Sequence, residues 1–232
     1  MKPVPGFEST AYGYLRGRIV WAGEGAVTDH PRHATRPWQN QPSTFDPQRL
    51  RDGAFNCLAL FAPGKPVLEA KGLMLWLTAQ PLPFPLDAAA ARFDAVRAAL
   101  QSNDLAALQA GVLRVLGLGH GLTPSGDDFV GGVFFAQAHA PREAWGHEIG
   151  LAKAALRLAA QSSTNVISAA LLDDLMDGVS YRALHELLVA LQDTRATEIA
   201  AAAGQVLRIG ASSGADMLAG LLLALTSFPH NN

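Results

Sequence analysis

Cysteine is nearly absent from this 232-residue chain: Cys57 stands alone, so no intramolecular disulfide can form. It lies in the apolar run Phe55-Asn56-Cys57-Leu58-Ala59-Leu60-Phe61 and reads as a small buried hydrophobe rather than a reactive thiol. Charge is scarce too. Only 16% of the residues are Asp, Glu, Lys or Arg, and the 18 basic and 20 acidic side chains nearly cancel to −2, with no Lys/Arg run. That removes the electrostatic footprint of a nucleic-acid binder. The apolar stretch 217–225 is about half of what spans a bilayer, and no signal-type apolar core follows Met1. Neither a nucleic-acid nor a membrane partner is expected, and the chain reads as cytoplasmic. Apolar residues are plentiful at 49%, many of them alanine, which suits closely packed helices around a real core.

Proline is also missing from most of the second part. Of 14 prolines, 11 lie at or before Pro85, and only Pro124, Pro141 and Pro229 follow. Helix interiors reject proline, so the first part reads as strands and loops and the remainder as helices. Residues 14–21, 55–61, 67–69 and 73–78 read as strands, and 29–51 as a long polar loop. From Asp87 the apolar spacing becomes helical, with Asn103 or Asp104 capping a second helix. Further helices are expected near 126–139, 143–160, 164–176, 179–192, 195–208 and 214–227. The expected fold is α+β: a small N-terminal β unit (barrel or sheet, 1–86), then an Ala-rich helical bundle (87–232).

The most informative stretch is Gly117-Leu118-Gly119-His120-Gly121-Leu122-Thr123-Pro124-Ser125-Gly126-Asp127-Asp128, which runs into an apolar helix. Starting 88 positions after Ser125, Ser213-Gly214-Ala215-Asp216-Met217-Leu218-Ala219-Gly220 repeats its helix start, with Ser, Gly, Asp and Gly identical in eight positions. Ser-x-x-Asp ahead of an apolar run is a capping box, which accounts for part of this pattern. The first copy holds more than a cap needs. Its glycines free the backbone for close approach to a ligand, and the helix N-terminus offers unpaired N–H groups to a phosphate or carboxylate. Thr123 and Ser125 add hydroxyls. Asp127 and Asp128 suit a cap, a base, an amide-orienting group or a divalent cation. No Walker lysine follows the glycines, so a P-loop is excluded.

Gly119-His120-Gly121-Leu122-Thr123-Pro124-Ser125-Gly126-Asp127-Asp128 resembles the signature of the family of AllH-type subunits of oxamate carbamoyltransferase. The family's second landmark, a Gly/Ser-rich turn near the C-terminus, is similar to 212–220 here, and its Thr-x-x-x-Ser helix start is similar to Thr164-Asn165-Val166-Ile167-Ser168. The resemblance implies a part in carbamoyl transfer between carbamoyl phosphate and oxamate, giving oxalurate and phosphate, in an assembly of unlike subunits. Read chemically, Gly119, Gly121 and Gly126 with Thr123 and Ser125 are candidates for a phosphate cradle. Ser212, Ser213, Gly214, Asp216 and Thr164 are candidates for further substrate contacts, and Asp127 or Asp128 for the base that deprotonates the feeble amide nucleophile. Arg157, Arg182, Arg195 and Arg208 are candidates for clamping a carboxylate.

His120 is a candidate substrate contact or a solvated loop residue, and no role comes to it by resemblance. His30 and His33 are separated by Pro31, which argues against a metal pair. No metal site and no organic cofactor are expected, with room left for magnesium at Asp127 and Asp128. The expected partners are a small anionic substrate, unlike subunits, and further copies of the chain. The two Ser-Gly-x-Asp turns are expected to meet in one cleft. Two other readings stay open: a non-catalytic ligand-binding or assembly subunit, and a metal-assisted small-molecule hydrolase.

Overall fold

The computed structural model describes residues 45–62, 64 and 66–228, together with the backbone of three short strands ahead of them. These strands, β1 (Gly13–Arg16), β2 (Ile19–Ala22) and β3 (Gly25–Thr28), pair antiparallel in that order, with Tyr14 opposite Trp21 and Val20 opposite Val27. From residue 45 onward 68% of the described residues are helical and none is in a strand. The expected α+β fold with an N-terminal β unit is therefore corrected to a helical one. His30, His33 and most of the expected loop 29–51 lie outside the described residues.

The correction has a local cause. Residues 55–61, expected as a strand, fall in and just after α1 (Pro47–Ala59). The Asp46 carboxylate accepts from the N–H groups of Gln48 at 2.8 Å and Arg49 at 3.3 Å, and Pro47 fills the first helical position, where its missing N–H costs nothing. Leu50, Ala54 and Cys57 then bury one helical face. Burial alone pushes the Cys57 thiol up to about 12, which fits an inert core residue. Residues 73–78 form α2 (Leu73–Leu77) and its C-cap, a single buried turn carrying Leu73, Met74 and Trp76. Residues 67–69 are irregular, Val67 and Leu68 both donating to the Leu60 carbonyl.

Eight helices follow: α3 (Ala90–Gln101), α4 (Leu105–Leu113), α5 (Ser125–His139), α6 (Glu148–Ser163), α7 (Val166–Met176), α8 (Arg182–Asp193), α9 (Ala196–Val206) and α10 (Ser213–Thr226). Their positions follow the helical spacing to within a few residues. Two triplets repeat. In each, the first helix ends at a left-handed residue, Asn103 or Thr194, and packs on the second. In each, the third helix presses its second residue, Gly126 or Gly214, against the carbonyl of Val115 or Val206, where a Cβ would lie 1.8 Å away. The triplets α3–α4–α5 and α8–α9–α10 thus build out the sequence repeat as two similar structural units.

The third helices of the two units pack on each other at the centre of the molecule. A Cβ on Gly132 would stand 2.0 Å from the Met217 carbonyl oxygen, and one on Gly220 would stand 2.0 Å from that of Phe129. The exchange is reciprocal, so α5 and α10 touch backbone to backbone and run in the same direction with their N-termini together. At the far end, buried Arg142 donates to the carbonyls of Leu100 at 2.9 Å and Ala224 at 3.2 Å and to Asn103 Oδ1 at 3.0 Å. It also lies against the rings of Trp145 and Phe228. The guanidinium thereby complements the negative C-terminal ends of α3 and α10, although burial brings its pKa down to about 10.

One apolar core runs from Leu50 through Trp76, Phe93 and Phe129 to Leu225. On α6, by contrast, Leu151 and Leu158, a helical repeat apart, are 69% and 70% exposed. No helix among the described residues is long and apolar enough to cross a membrane.

Alanine at Gly132 or Gly220 is expected to force α5 and α10 apart and lower stability by about 3 kcal/mol. Alanine at Gly150, whose added Cβ meets nothing within 4 Å, is expected to raise it by up to about 1 kcal/mol. Chemical denaturation of the three variants checks the contrast, and equal effects at Gly132 and Gly150 would refute the backbone contact.

Candidate functional site

Because α5 and α10 start side by side, the two repeated turns come to one place. Neither forms the expected capping box. Ser125 and Ser213 are the first helical residues, not the caps, and the N-caps Pro124 and Ser212 make no side-chain cap bond. The hydroxyls are crossed between the units instead: Ser125 stands beside Asp216 of the other helix, and Ser213 beside Asp128, each close enough to favour the charged form of that carboxyl. Thr123 also stands beside Asp128, and its Oγ1 lies 2.7 Å from Ser213 Oγ. Ser212 completes the set at Asp216.

Asp128 and Asp216 occupy equivalent positions of the repeat, and both are buried. In each, the Oδ2 atom is buried without a hydrogen-bond partner among the described residues. Burial, then the neighbouring Asp216 carboxyl, pushes Asp128 well above the usual carboxylate range, against the pull of the Ser213 and Thr123 hydroxyls. Burial lifts Asp216 to about 6. The Leu73 N–H, the Ser125 and Ser212 hydroxyls and the Lys71 ammonium oppose that rise.

Asp127 is quite different. Its Oδ1 accepts the Gly117 N–H at 2.7 Å, and its Oδ2 accepts the hydroxyls of Ser168, at 2.6 Å, and Thr164. Both oxygens are committed within the chain, so Asp127 fastens the glycine turn to the start of α7, and the Thr164 hydroxyl is spent on the same joint. Asn165 caps α7 and donates to the Leu122 carbonyl at 2.9 Å, which ties down the other end of the turn. A donor set of this kind does not fit Asp127 as a metal ligand. Among the described residues no group of three His, Cys, Asp or Glu side chains is arranged to hold a metal.

The glycines divide by role. The Gly126 and Gly214 N–H groups donate to the carbonyls of Leu118 at 2.8 Å and Ile209 at 3.0 Å, so neither is offered to a ligand. Gly119 packs its backbone against Ser125, while His120 and Gly121 stand exposed at the turn's tip. The N–H groups of residues 119–123 and of Ser125 have no backbone acceptor among the described residues and remain available. Of the arginines, Arg157 is held by Asp173 and Asp177, Arg182 by Glu186, and Arg195 by Asp193 and Glu198. Arg208 is exposed and makes no ion pair among the described residues.

Lys71, Gly72 and Leu73 are the site residues that sequence reasoning missed. Leu73 N–H donates to Asp216 Oδ1 at 2.7 Å, and Gly72, at φ +52°, leaves no room for a Cβ, which would lie 2.3 Å from the same oxygen. Leu73 lies 143 positions from Asp216, and none of the three belongs to a motif of its own. A surface groove of about 440 Å³ between α2 and α3, lined by Trp76, Gln80, Leu82 and Asp87 among others, shares no residue with this cluster.

The model of the family described as oxamate carbamoyltransferase subunit AllH matches residues 115–225, the segment that holds both turns. Over that segment the chain is AllH-like, as its glycine turn suggests. No curated protein and no solved structure matches the chain.

A carboxyl with a raised folded-state pKa contributes stability fully below its unfolded value, near 3.8, and loses that contribution as pH rises through the folded value. Asparagine does not titrate. Asp128→Asn is therefore expected to raise the melting temperature relative to the native chain by more at pH 8 than at pH 5. Asp127→Ala, which strands three donors, is expected to lower stability by about 3 kcal/mol at both. Thermal melts at the two pH values check both signs, and an Asp128→Asn gain no larger at pH 8 would mean that Asp128 is ionised in the folded chain.

Proposed function

We propose that this chain is a subunit of a carbamoyltransferase that moves a carbamoyl group between carbamoyl phosphate and oxamate or a similar small amide. One observation carries the reading. Within the segment matched by the family model, two helix N-termini converge on a pair of buried carboxyls with unsatisfied oxygens, beside a turn with open N–H groups.

The chemistry divides accordingly. The open N–H groups of 119–123 and Ser125, with the positive helix end behind them, hold the phosphate of carbamoyl phosphate. The Asp128–Asp216 pair lies where a neutral amide is held and deprotonated. The amide nitrogen attacks the carbamoyl carbon, the bond from that carbon to the phosphate oxygen breaks, and phosphate leaves with its electron pair. The proton lost by the nitrogen passes to a carboxylate of the pair. Asp127, whose oxygens are occupied, takes no part in the transfer. Lys71 is the cation whose charge acts at Asp216. The reaction so written needs no organic cofactor.

The word subunit in the family's description supports unlike partner chains, and the exposed leucines of α6 offer apolar surface for one. With Arg157, Arg182 and Arg195 held in ion pairs, any arginine clamp on the substrate carboxylate is expected from the exposed Arg208 or from a partner. A subunit that binds one substrate and reacts only in the assembly is the form of this reading that the family's description favours.

The test is thermal unfolding with carbamoyl phosphate, phosphate or oxamate, each with and without Mg²⁺. A ligand at about a hundred times its Kd adds roughly 2.7 kcal/mol, a shift of several degrees. Carbamoyl phosphate is expected to produce such a shift. Gly121→Ala, which puts a methyl group into open space at the turn's mouth, is expected to reduce it at least about fivefold in affinity. No shift with either phosphate ligand, alone or with Mg²⁺, would remove the phosphate cradle from the reading.

A further inference from the structure

Asp128 and Asp216 come from equivalent turns, yet their surroundings are unequal. Asp216 Oδ1 accepts the Leu73 N–H at 2.7 Å, the Ser125 and Ser212 hydroxyls stand beside the same carboxyl, and the Lys71 ammonium is nearby. At Asp128 the donors are the hydroxyls of Thr123 and Ser213, whose oxygens are 2.7 Å apart. Each hydroxyl carries one hydrogen. One of the two is spent between Thr123 and Ser213, which leaves a single hydrogen for Asp128. A backbone N–H at hydrogen-bond distance, two adjacent hydroxyls and an ammonium charge thus favour a carboxylate at Asp216, against one uncommitted hydroxyl hydrogen at Asp128. The other charged neighbour of Asp128, Asp127, repels a charge there. The pair titrates as a unit, and its first proton belongs on Asp128.

The unsatisfied atoms then acquire opposite characters. Asp128 Oδ2, if it carries that proton, is a buried donor without an acceptor. Asp216 Oδ2 is a buried acceptor without a donor. A buried donor and a buried acceptor left open on two neighbouring carboxyls are complementary to a group with one acceptor and one N–H on a single planar edge. The edge of a primary amide, O=C–N–H, is such a group.

We propose that Asp128, as a carboxylic acid, and Asp216, as a carboxylate, together form the receptor for the amide edge of the substrate. The Asp128 hydroxyl donates to the amide oxygen, and Asp216 Oδ2 accepts an amide N–H. This deepens the carbamoyltransferase reading, on which the choice of a primary amide as substrate rests, and it divides the roles of the two carboxyls. It also excludes a carboxylate from the same place, because that group would bring a second negative charge against Asp216 and no hydrogen to share. Substrate selection thereby follows from the position of one proton.

The variants discriminate because asparagine must keep its oxygen toward the existing donors. In Asp128→Asn the oxygen faces the Thr123 and Ser213 hydroxyls, which leaves an NH₂ where the acid's O–H had been. In Asp216→Asn the oxygen faces the Leu73 N–H, which leaves an NH₂ opposed to the amide N–H. Titration calorimetry of oxamate and oxalate with the full chain and both variants at pH 7.5 tests this, with carbamoyl phosphate in parallel and melting curves to confirm folding. The native chain is expected to bind oxamate at least about tenfold more tightly than oxalate. Asp128→Asn is expected to keep oxamate affinity within about threefold, and Asp216→Asn to lose at least about tenfold. Should one variant fail to fold, ¹³C NMR of the aspartate carboxyls in the native chain reads the same assignment. Asp128 is then protonated and Asp216 ionised at pH 7.5.

Equal losses in the two variants, oxalate binding as tight as oxamate, no oxamate binding, or both carboxyls ionised would each overturn the proposal. The two readings fail separately. Oxamate behaving as expected with no binding of carbamoyl phosphate sinks carbamoyl transfer and leaves the amide receptor. Tight carbamoyl phosphate with symmetric variants sinks the receptor and leaves the transfer.

Discussion

Two helices that begin side by side and run in parallel face an electrostatic problem. Each N-terminus carries about half a positive charge, and α5 and α10 bring two such ends together in the interior. The crossed Ser–Asp contacts answer it. Each helix's first hydroxyl reaches the other helix's carboxyl, so the negative groups that balance the dipoles also join the two units. One charge, not two, matches the combined dipole of roughly one unit. A second carboxylate would add repulsion that burial does not screen. Burial raises both carboxyls, and the neighbouring Asp216 raises Asp128 further.

That arrangement depends on how closely the helices approach. Gly132 and Gly220 put backbone on backbone, each against a carbonyl of the facing helix. Any side chain there would separate the N-termini and stretch the Ser–Asp contacts. The opposite end is closed by a cation of matching sign. Arg142 has no carboxylate among its hydrogen-bond partners and is held by carbonyls at the ends of α3 and α10, an asparagine oxygen and two rings. The central helix pair is therefore carboxyl-rich at its positive end and guanidinium-capped at its negative end.

The helical part and the meeting of the two turns were legible because they rest on local signals: apolar spacing, stop residues and a repeated Ser-Gly-x-Asp. The first part was misread where a short apolar run is ambiguous between strand and helix. The helix-start signal that resolves it, Asp46-Pro47, sat inside a segment taken for loop. The capping box failed for a subtler reason. Its hydroxyls and carboxyls do face one another, but across two helices whose starts lie 88 positions apart. Nothing in the sequence announces Lys71 or Leu73, because their part in the site comes from a tertiary contact between α2 and α10.

The neighbouring carboxyls Asp127 and Asp128 look alike in sequence and differ in work, and the repeat explains why. Where the first unit has Asp127, the second has Ala215. The link from α4 to α5 is long and glycine-rich, whereas that from α9 to α10 is a short bend. A long turn with open N–H groups must be fastened or its entropy would blur the donors it presents. Asp127 fastens it, taking Gly117 at the turn's start, Thr164 at the end of α6 and Ser168 on α7. The short bend needs no such anchor, so alanine suffices. Hence the position that differs between the units carries the architecture of the longer turn. The position they share, Asp128 and Asp216, is where unsatisfied buried oxygens remain, and there the chemistry has to be sought.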